Sequence, residues 1–237
     1  MIRRFAGKTG AWLTAFALLL GGIRVQASSS GFAKPGSEKE TSASASQAVS
    51  GSSSAESAAG ENAEAMLNGK SWKDMVLVLD GRLLKLPFPY SSISGDWSFD
   101  LADYGYDKGY VLNPGDKVVG TIELKNPKYD KIRCMAGFMN TGEGIRQIEE
   151  TDIWSLTIDA SSTDVRPDLM LPGGITWGST ADEVLSVCGQ PEEEPYVAED
   201  LGYTVYNWFP DFQYKMKLTV YDDGGLKALT LENYAGK

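Results

Sequence analysis

A strand signal repeated three times near the C-terminus constrains this fold most. The runs Tyr203–Phe209, Tyr214–Asp222 and Leu226–Glu232 each read as a strand, and Asp222-Asp223-Gly224-Gly225 joins the last two through a turn where glycine supplies positive φ. Strands so close in sequence pair with their neighbours, so the end of the chain is expected to be an antiparallel meander. The same signal recurs upstream. Val76–Asp80 and Leu83–Leu86 flank Gly81 as a short hairpin that Leu86-Pro87 ends. Lys117–Leu124 is rich in β-branched residues, and Ile132, Cys134, Ala136 and Phe138 alternate with Arg133 and Gly137 as in a half-buried strand. Ile153–Asp159 adds another.

Helix signals are few. Thr180 and Glu183 form a Thr-x-x-Glu capping box for a helix over Ala181–Cys188, with Val184, Leu185 and Cys188 on one face and Gly189 and Pro191 as its stop. A helical turn is expected at Ser91–Ser94, closed by Gly95, and a short frayed helix at Glu61–Leu67. The fold class is therefore α+β, mainly antiparallel β-sheet with few short helices. Each half runs from a Leu-Pro step through a helical turn into a meander, ending at Ile158-Asp159 and Leu231-Glu232, which suggests a degenerate tandem repeat. The expected boundaries are a first β-rich subdomain at 67–160 and a second helix-plus-sheet subdomain at 161–237, with Ala160–Asp168 as connector.

The N-terminal quarter carries an address instead of a core. Arg3, Arg4 and Lys8 precede an apolar run from Ala11 to Leu20 and the small-x-small step Val25-Gln26-Ala27. That order reads as a signal peptide over 1–27, cleaved near Ala27, and the run is too short for a permanent membrane span. Residues 28–66, rich in Ser, Ala, Glu and Gly, have too little apolar surface to offset ordering entropy and read as a disordered linker. The expected location is secreted or cell-surface. Removing 1–27 leaves 18 basic against 32 acidic side chains, a net charge of −14.

Composition excludes several chemistries. With no histidine in 237 residues there is no imidazole for a catalytic triad, a zinc site or a haem. Cys134 and Cys188 alone cannot supply a thiolate zinc or iron–sulfur site, so no cofactor and no metal are expected. The acidic balance argues against nucleic acid as a partner.

The string Gly174-Ile175-Thr176-Trp177-Gly178-Ser179-Thr180-Ala181-Asp182-Glu183-Val184, followed by Gly189-Gln190-Pro191, resembles the G-x-[ST]-x-x-E-V-x-x-x-x-G-x-P motif of the β-lactamase inhibitory protein and SmpA/OmlA (BamE) type modules. The chain is also similar to a class of exported proteins of Gram-positive anaerobes, in which a Leu-Pro-x-x-x-Ser half precedes a Leu-Pro-x-Gly-Ile-x-x-Gly-Ser half, here Leu86–Ser91 and Leu171–Ser179. The resemblance implies a helix packed on an antiparallel sheet and a binding or assembly role. The motif contains no reactive group, and Gly178, Glu183 and Gly189 are expected to be structural.

On Tyr203–Phe209, apolar groups point both ways. If one face is core, the other is an aromatic surface, and Tyr206, Trp208 and Tyr221 are the expected binding anchors, with Lys215 and Lys217 beside Tyr221. Trp97–Tyr110 interleaves aromatics with Asp96, Asp100, Asp103 and Asp107, which reads chiefly as an irregular loop, with a calcium site or an aromatic glycan platform as alternatives. Glu192–Glu194 and Glu149-Glu150 are adjacent carboxylates of the kind found in solvated charge runs, not a pair held across a cleft. Cys134 and Cys188 are expected to be free thiols. Taken together, the residues suggest an exported, non-catalytic module that binds another protein; the alternatives are an inhibitor of a secreted hydrolase, and a cell-wall glycan binder or hydrolase.

Overall fold

The computed structural model describes residues 61–234. The expected signal segment and the linker up to residue 60 lie outside the described residues. Helix α1 (residues 61–67) comes first, at the bounds of the short frayed helix expected at the end of the linker, and it is docked, with Ala63 and Leu67 buried. The hairpin of β1 (Val76–Leu79) and β2 (Arg82–Lys85) follows. Its two-residue turn, Asp80-Gly81, has φ of 47° and 73°, the left-handed pair that a tight antiparallel hairpin requires. Asp80 Oδ1 also accepts the Tyr129 hydroxyl at 2.8 Å and the Asp168 N–H at 3.0 Å, tying the turn to two distant segments.

The next strands are β3 (Phe88–Pro89), β4 (Val111–Leu112), β5 (Ile122–Leu124), β6 (Arg133–Met139), β7 (Arg146–Gln147) and β8 (Asp152–Asp159). After them come β9 (Leu169–Leu171), β10 (Ile175–Thr176), helix α2 (Ala181–Cys188) and β11 (Tyr196–Ala198). The meander β12 (Tyr203–Trp208), β13 (Tyr214–Tyr221) and β14 (Gly225–Asn233) ends the fold. They assemble into a large sheet, β11-β12-β13-β14-β8-β6-β5, with β3 also pairing with β8, and a small sheet, β10-β9-β1-β2; β4 and β7 pair separately. All of these pairs are antiparallel, as expected for this fold class.

Strand β1 explains the layering. Its Val-Leu-Val-Leu run is buried at every position. Leu77 and Leu79 belong to the main core, whereas Val76 and Val78 pack with Ala63 and Leu67 of α1. A strand covered on both faces loses its alternation, and this one is sandwiched between α1 and the large sheet. The inner face of the large sheet supplies Leu156, Ile158, Leu218 and Leu229 to the same core, each worth about 1.5–3 kcal/mol when fully buried.

The division between residues 160 and 161 is not a break in the sheet. Strand β8, from the first expected subdomain, hydrogen-bonds to β6 on one side and to β14 on the other, so one sheet runs through both. Where the tandem reading matched helices, the first half has the 3₁₀ turn Tyr90–Ser92 and the second has α2. Helix α2 has the expected bounds: Thr180 Oγ1 accepts the Glu183 N–H at 3.3 Å, Glu183 accepts the Thr180 N–H at 2.8 Å, and Val184 is fully buried.

The motif glycines act on the backbone, as expected. Gly178 (φ 86°) donates to the Leu226 carbonyl at 3.0 Å, and Leu226 donates to the Ser179 carbonyl at 2.8 Å. A Cβ on Gly225 (φ 66°) would lie 2.1 Å from the Gly178 oxygen, so the loop before α2 and the start of β14 approach as closely as two glycines permit.

Candidate functional site

Register assigns the two faces of the large sheet. Tyr203 pairs with Tyr221, Val205 with Thr219, and Asn207 with Lys217, which in turn faces Thr230, Thr157 and Met135 across successive strands. Directly opposed residues share a face. This outer face carries Tyr203, Val205, Asn207, Lys215, Lys217, Thr219, Tyr221, Ala228, Thr157 and Met135, all half-buried, whereas Tyr206, Trp208, Met216, Leu218 and Val220 point inward and are buried.

Two of the three expected anchors therefore move to the core. Trp208 is 1% exposed, and its indole N–H donates to the Gly189 carbonyl at 3.2 Å. Its ring lies 6.3 Å from Trp72 and 6.0 Å from Tyr206. Tyr206 is 8% exposed. The physical reason is helix α2: its C-terminal end sits over this end of β12, and the large aromatics fill the space beneath it. Tyr221 does lie on the outer face. Its ring is 5.2 Å from Tyr203, with the Lys227 ammonium 4.8 Å above it.

A second aromatic group occupies the other end of the face and was not singled out in the sequence. Trp154 lies 5.0 Å from Tyr234, Tyr234 is 6.1 Å from Phe209, and Phe209 is 4.9 Å from Phe212, which is 78% exposed. Lys117 Nζ sits 4.3 Å from the Trp154 ring and 5.5 Å from that of Tyr234, and burial lowers its pKa. Burial, reinforced by a hydrogen bond to the Glu232 carboxylate, pushes the Tyr234 hydroxyl up to about 12. The sequence signal for this group is Gly137. Pairing between β6 and β8 slips at Gly137/Phe138, and Trp154 folds over Gly137, whose Cβ would lie 2.8 Å from the indole nitrogen.

Between the two aromatic ends the face is polar. Thr157 and Thr230 share a 2.9 Å hydroxyl bond, and Lys215 approaches Glu232 at 3.9 Å. Lys217 has no ion-pair partner among the described residues. Asn207 Oδ1 and Trp154 Nε1 are buried without hydrogen-bond partners. Such a surface offers rings, hydroxyls and an ammonium to a ligand.

The remaining candidates resolve into local structure. Trp97 is buried and stacked 6.0 Å from Tyr129. Asp96 pairs with Arg82, Asp100 caps the 3₁₀ turn Leu101–Tyr104 by accepting from Ala102, and Asp103 bridges Lys125 at 2.8 Å. Each of these three carboxylates engages a separate local partner. Glu192 accepts the Phe209 N–H at 3.0 Å, and Glu150 that of Gln147 at 3.3 Å. Cys134 and Cys188 are free, as expected; burial raises both thiols, that of Cys188 to about 12. None of the described helices is long and apolar enough to cross a membrane. No protein-family model, curated protein or solved structure matches this chain.

Proposed function

We propose that this chain is an exported, non-catalytic binding module that takes a protein partner on the outer face of its large sheet. The observation that carries the reading is the half-buried outer face itself, with Tyr203 and Tyr221 at one end and Trp154, Tyr234, Phe209 and Phe212 at the other. Aromatic rings give large contact area at small entropy cost, and they dominate interface energetics. Export is supported by the basic, apolar and small-residue order of residues 1–27. The resemblance of the Gly174–Pro191 motif to β-lactamase inhibitory protein and SmpA/OmlA modules supports the same class of role, in which a sheet face presents the contacts.

The test compares the mature native chain with a variant carrying Tyr196→Ser, Tyr221→Ser and Phe212→Ser, Tyr196 sharing the outer face through its pairing with Val205, and uses each as bait for a cell-surface and secreted extract of the producing organism. All three side chains reach solvent, so the variant keeps its fold. Capture of one protein by the native chain alone supports the reading. Equal capture by both, or retention of both on isolated cell wall instead, refutes it and favours the glycan alternative.

A further inference from the structure

A cleft of about 520 Å³ opens between the start of α2 and the ends of β12 and β13, lined by Thr180, Ala181, Thr204, Tyr206, Val220 and Asp222 among others. Thr204, Tyr206 and Val220 point inward into it, while Tyr221 of the outer face stands on its rim, so the cleft adjoins the proposed binding face and the inference rests on that reading. Tyr206 is more than nine-tenths buried, yet it lines this cleft, and its hydroxyl makes no hydrogen bond to any described residue. A hydroxyl facing a cleft offers one donor and two acceptor lone pairs to whatever enters it.

The charge around that hydroxyl has one sign. Asp182 and Asp222 both act on it electrostatically and, after burial itself, raise its pKa. Neither carboxylate has an ion-pair partner among the described residues, because Lys227, the ammonium on this turn, is engaged by Asp223 at 2.9 Å and by the Tyr221 ring. The walls, by contrast, are apolar or aromatic: Ala181, Val220 and the Tyr206 ring. An anion is disfavoured here, since the capping box already takes the N–H groups of Thr180 and Glu183.

We infer that this cleft takes an alkylammonium group, the end of a lysine side chain from a polypeptide ligand, with its methylene stem against Ala181 and Val220 and its N–H groups donating to Tyr206 Oη and the Asp222 carboxylate. A cation on an aliphatic stem matches the three features together: an unpaired hydroxyl, the unpaired Asp222 carboxylate on the cleft wall, and apolar walls.

The test uses the isotope-labelled mature chain titrated with Nα-acetyl-lysine methylamide, and with the norleucine analogue as the uncharged isostere, followed by amide chemical shifts. The lysine derivative should give saturable shifts at Thr180, Ala181, Asp222 and Gly224, weakened by salt, while the norleucine analogue gives none there. Tyr206→Phe, which keeps the ring beside Trp208, and Asp222→Asn should each weaken binding about tenfold. Asp103→Asn, on a carboxylate already paired with Lys125, should leave it unchanged. Equal shifts with norleucine, no saturation, or binding that survives Asp222→Asn would overturn the inference. Because that substitution is on an exposed side chain, the test holds even if Tyr206→Phe folds poorly. The sheet-face reading is judged separately, by capture with a variant carrying Tyr196→Ser and Phe212→Ser alone, which leaves the cleft residue Tyr221 in place.

Discussion

Replacing Trp208 with alanine distinguishes a core residue from a surface anchor. The side chain is 1% exposed, and its indole packs between Trp72 and Tyr206. Removing a buried aromatic ring of this kind costs about 3–5 kcal/mol through lost transfer energy and the cavity left behind. The Gly189 carbonyl also loses its indole donor at the C-terminal end of α2, which adds about 1 kcal/mol. Against a total stability of about 5–15 kcal/mol for a domain of ordinary size, the variant is expected to sit close to unfolding. Trp208→Phe, which keeps most of the packing and loses the N–H, should cost about 1–2 kcal/mol. Urea unfolding followed by far-ultraviolet circular dichroism measures both without relying on the indole that was removed. A loss under about 1 kcal/mol for Trp208→Ala would refute the argument, because no residue packed this way can be deleted so cheaply.

Other expectations follow from the same geometry. Gly225→Ala should destabilise by about 3 kcal/mol or more in the same assay, since its Cβ would meet the Gly178 backbone oxygen and its φ is positive. Thr180→Ala removes one half of the capping box and should cost about 1 kcal/mol, with faster amide exchange in the first turn of α2 as the local readout. Both thiols have pKa values raised by burial, so their contribution to stability is complete below the unfolded value of about 8.5 and is lost as pH rises toward the folded values. Stability should therefore fall from pH 8 to pH 11, and part of that fall should disappear in a Cys134→Ala, Cys188→Ala double variant. By contrast, Tyr196→Ala, at a side chain 65% exposed, should change stability by no more than about 0.5 kcal/mol.

The legible parts of this fold are those where local chemistry and tertiary context agree. The Thr180–Glu183 capping box and the Gly189 stop set the bounds of α2, and the Asp222–Gly225 turn set the β13–β14 hairpin. Strand β12 was legible as a strand and ambiguous in orientation. With Tyr203, Val205 and Phe209 on one parity and Tyr206 and Trp208 on the other, hydropathy does not choose the buried face; the choice is made by where the far end of α2 lands. Helix α1 was legible as a short helix at Glu61–Leu67, but its docking was not. A Ser- and Ala-rich context carries little apolar signal, yet Ala63 and Leu67 suffice to cover Val76 and Val78. The Trp154 group was hidden because a bulge interrupts the two-residue period that would have announced it.

The docking of α1 on β1 gives the molecule a direction. The helix lies on one side of the small sheet, the core and the large sheet lie on the other, and the aromatic face is the far surface of that large sheet. Residue 61 therefore enters the folded body on the side away from Tyr203, Tyr221 and Trp154. A fusion or immobilisation tag placed ahead of residue 61 should accordingly leave that surface free.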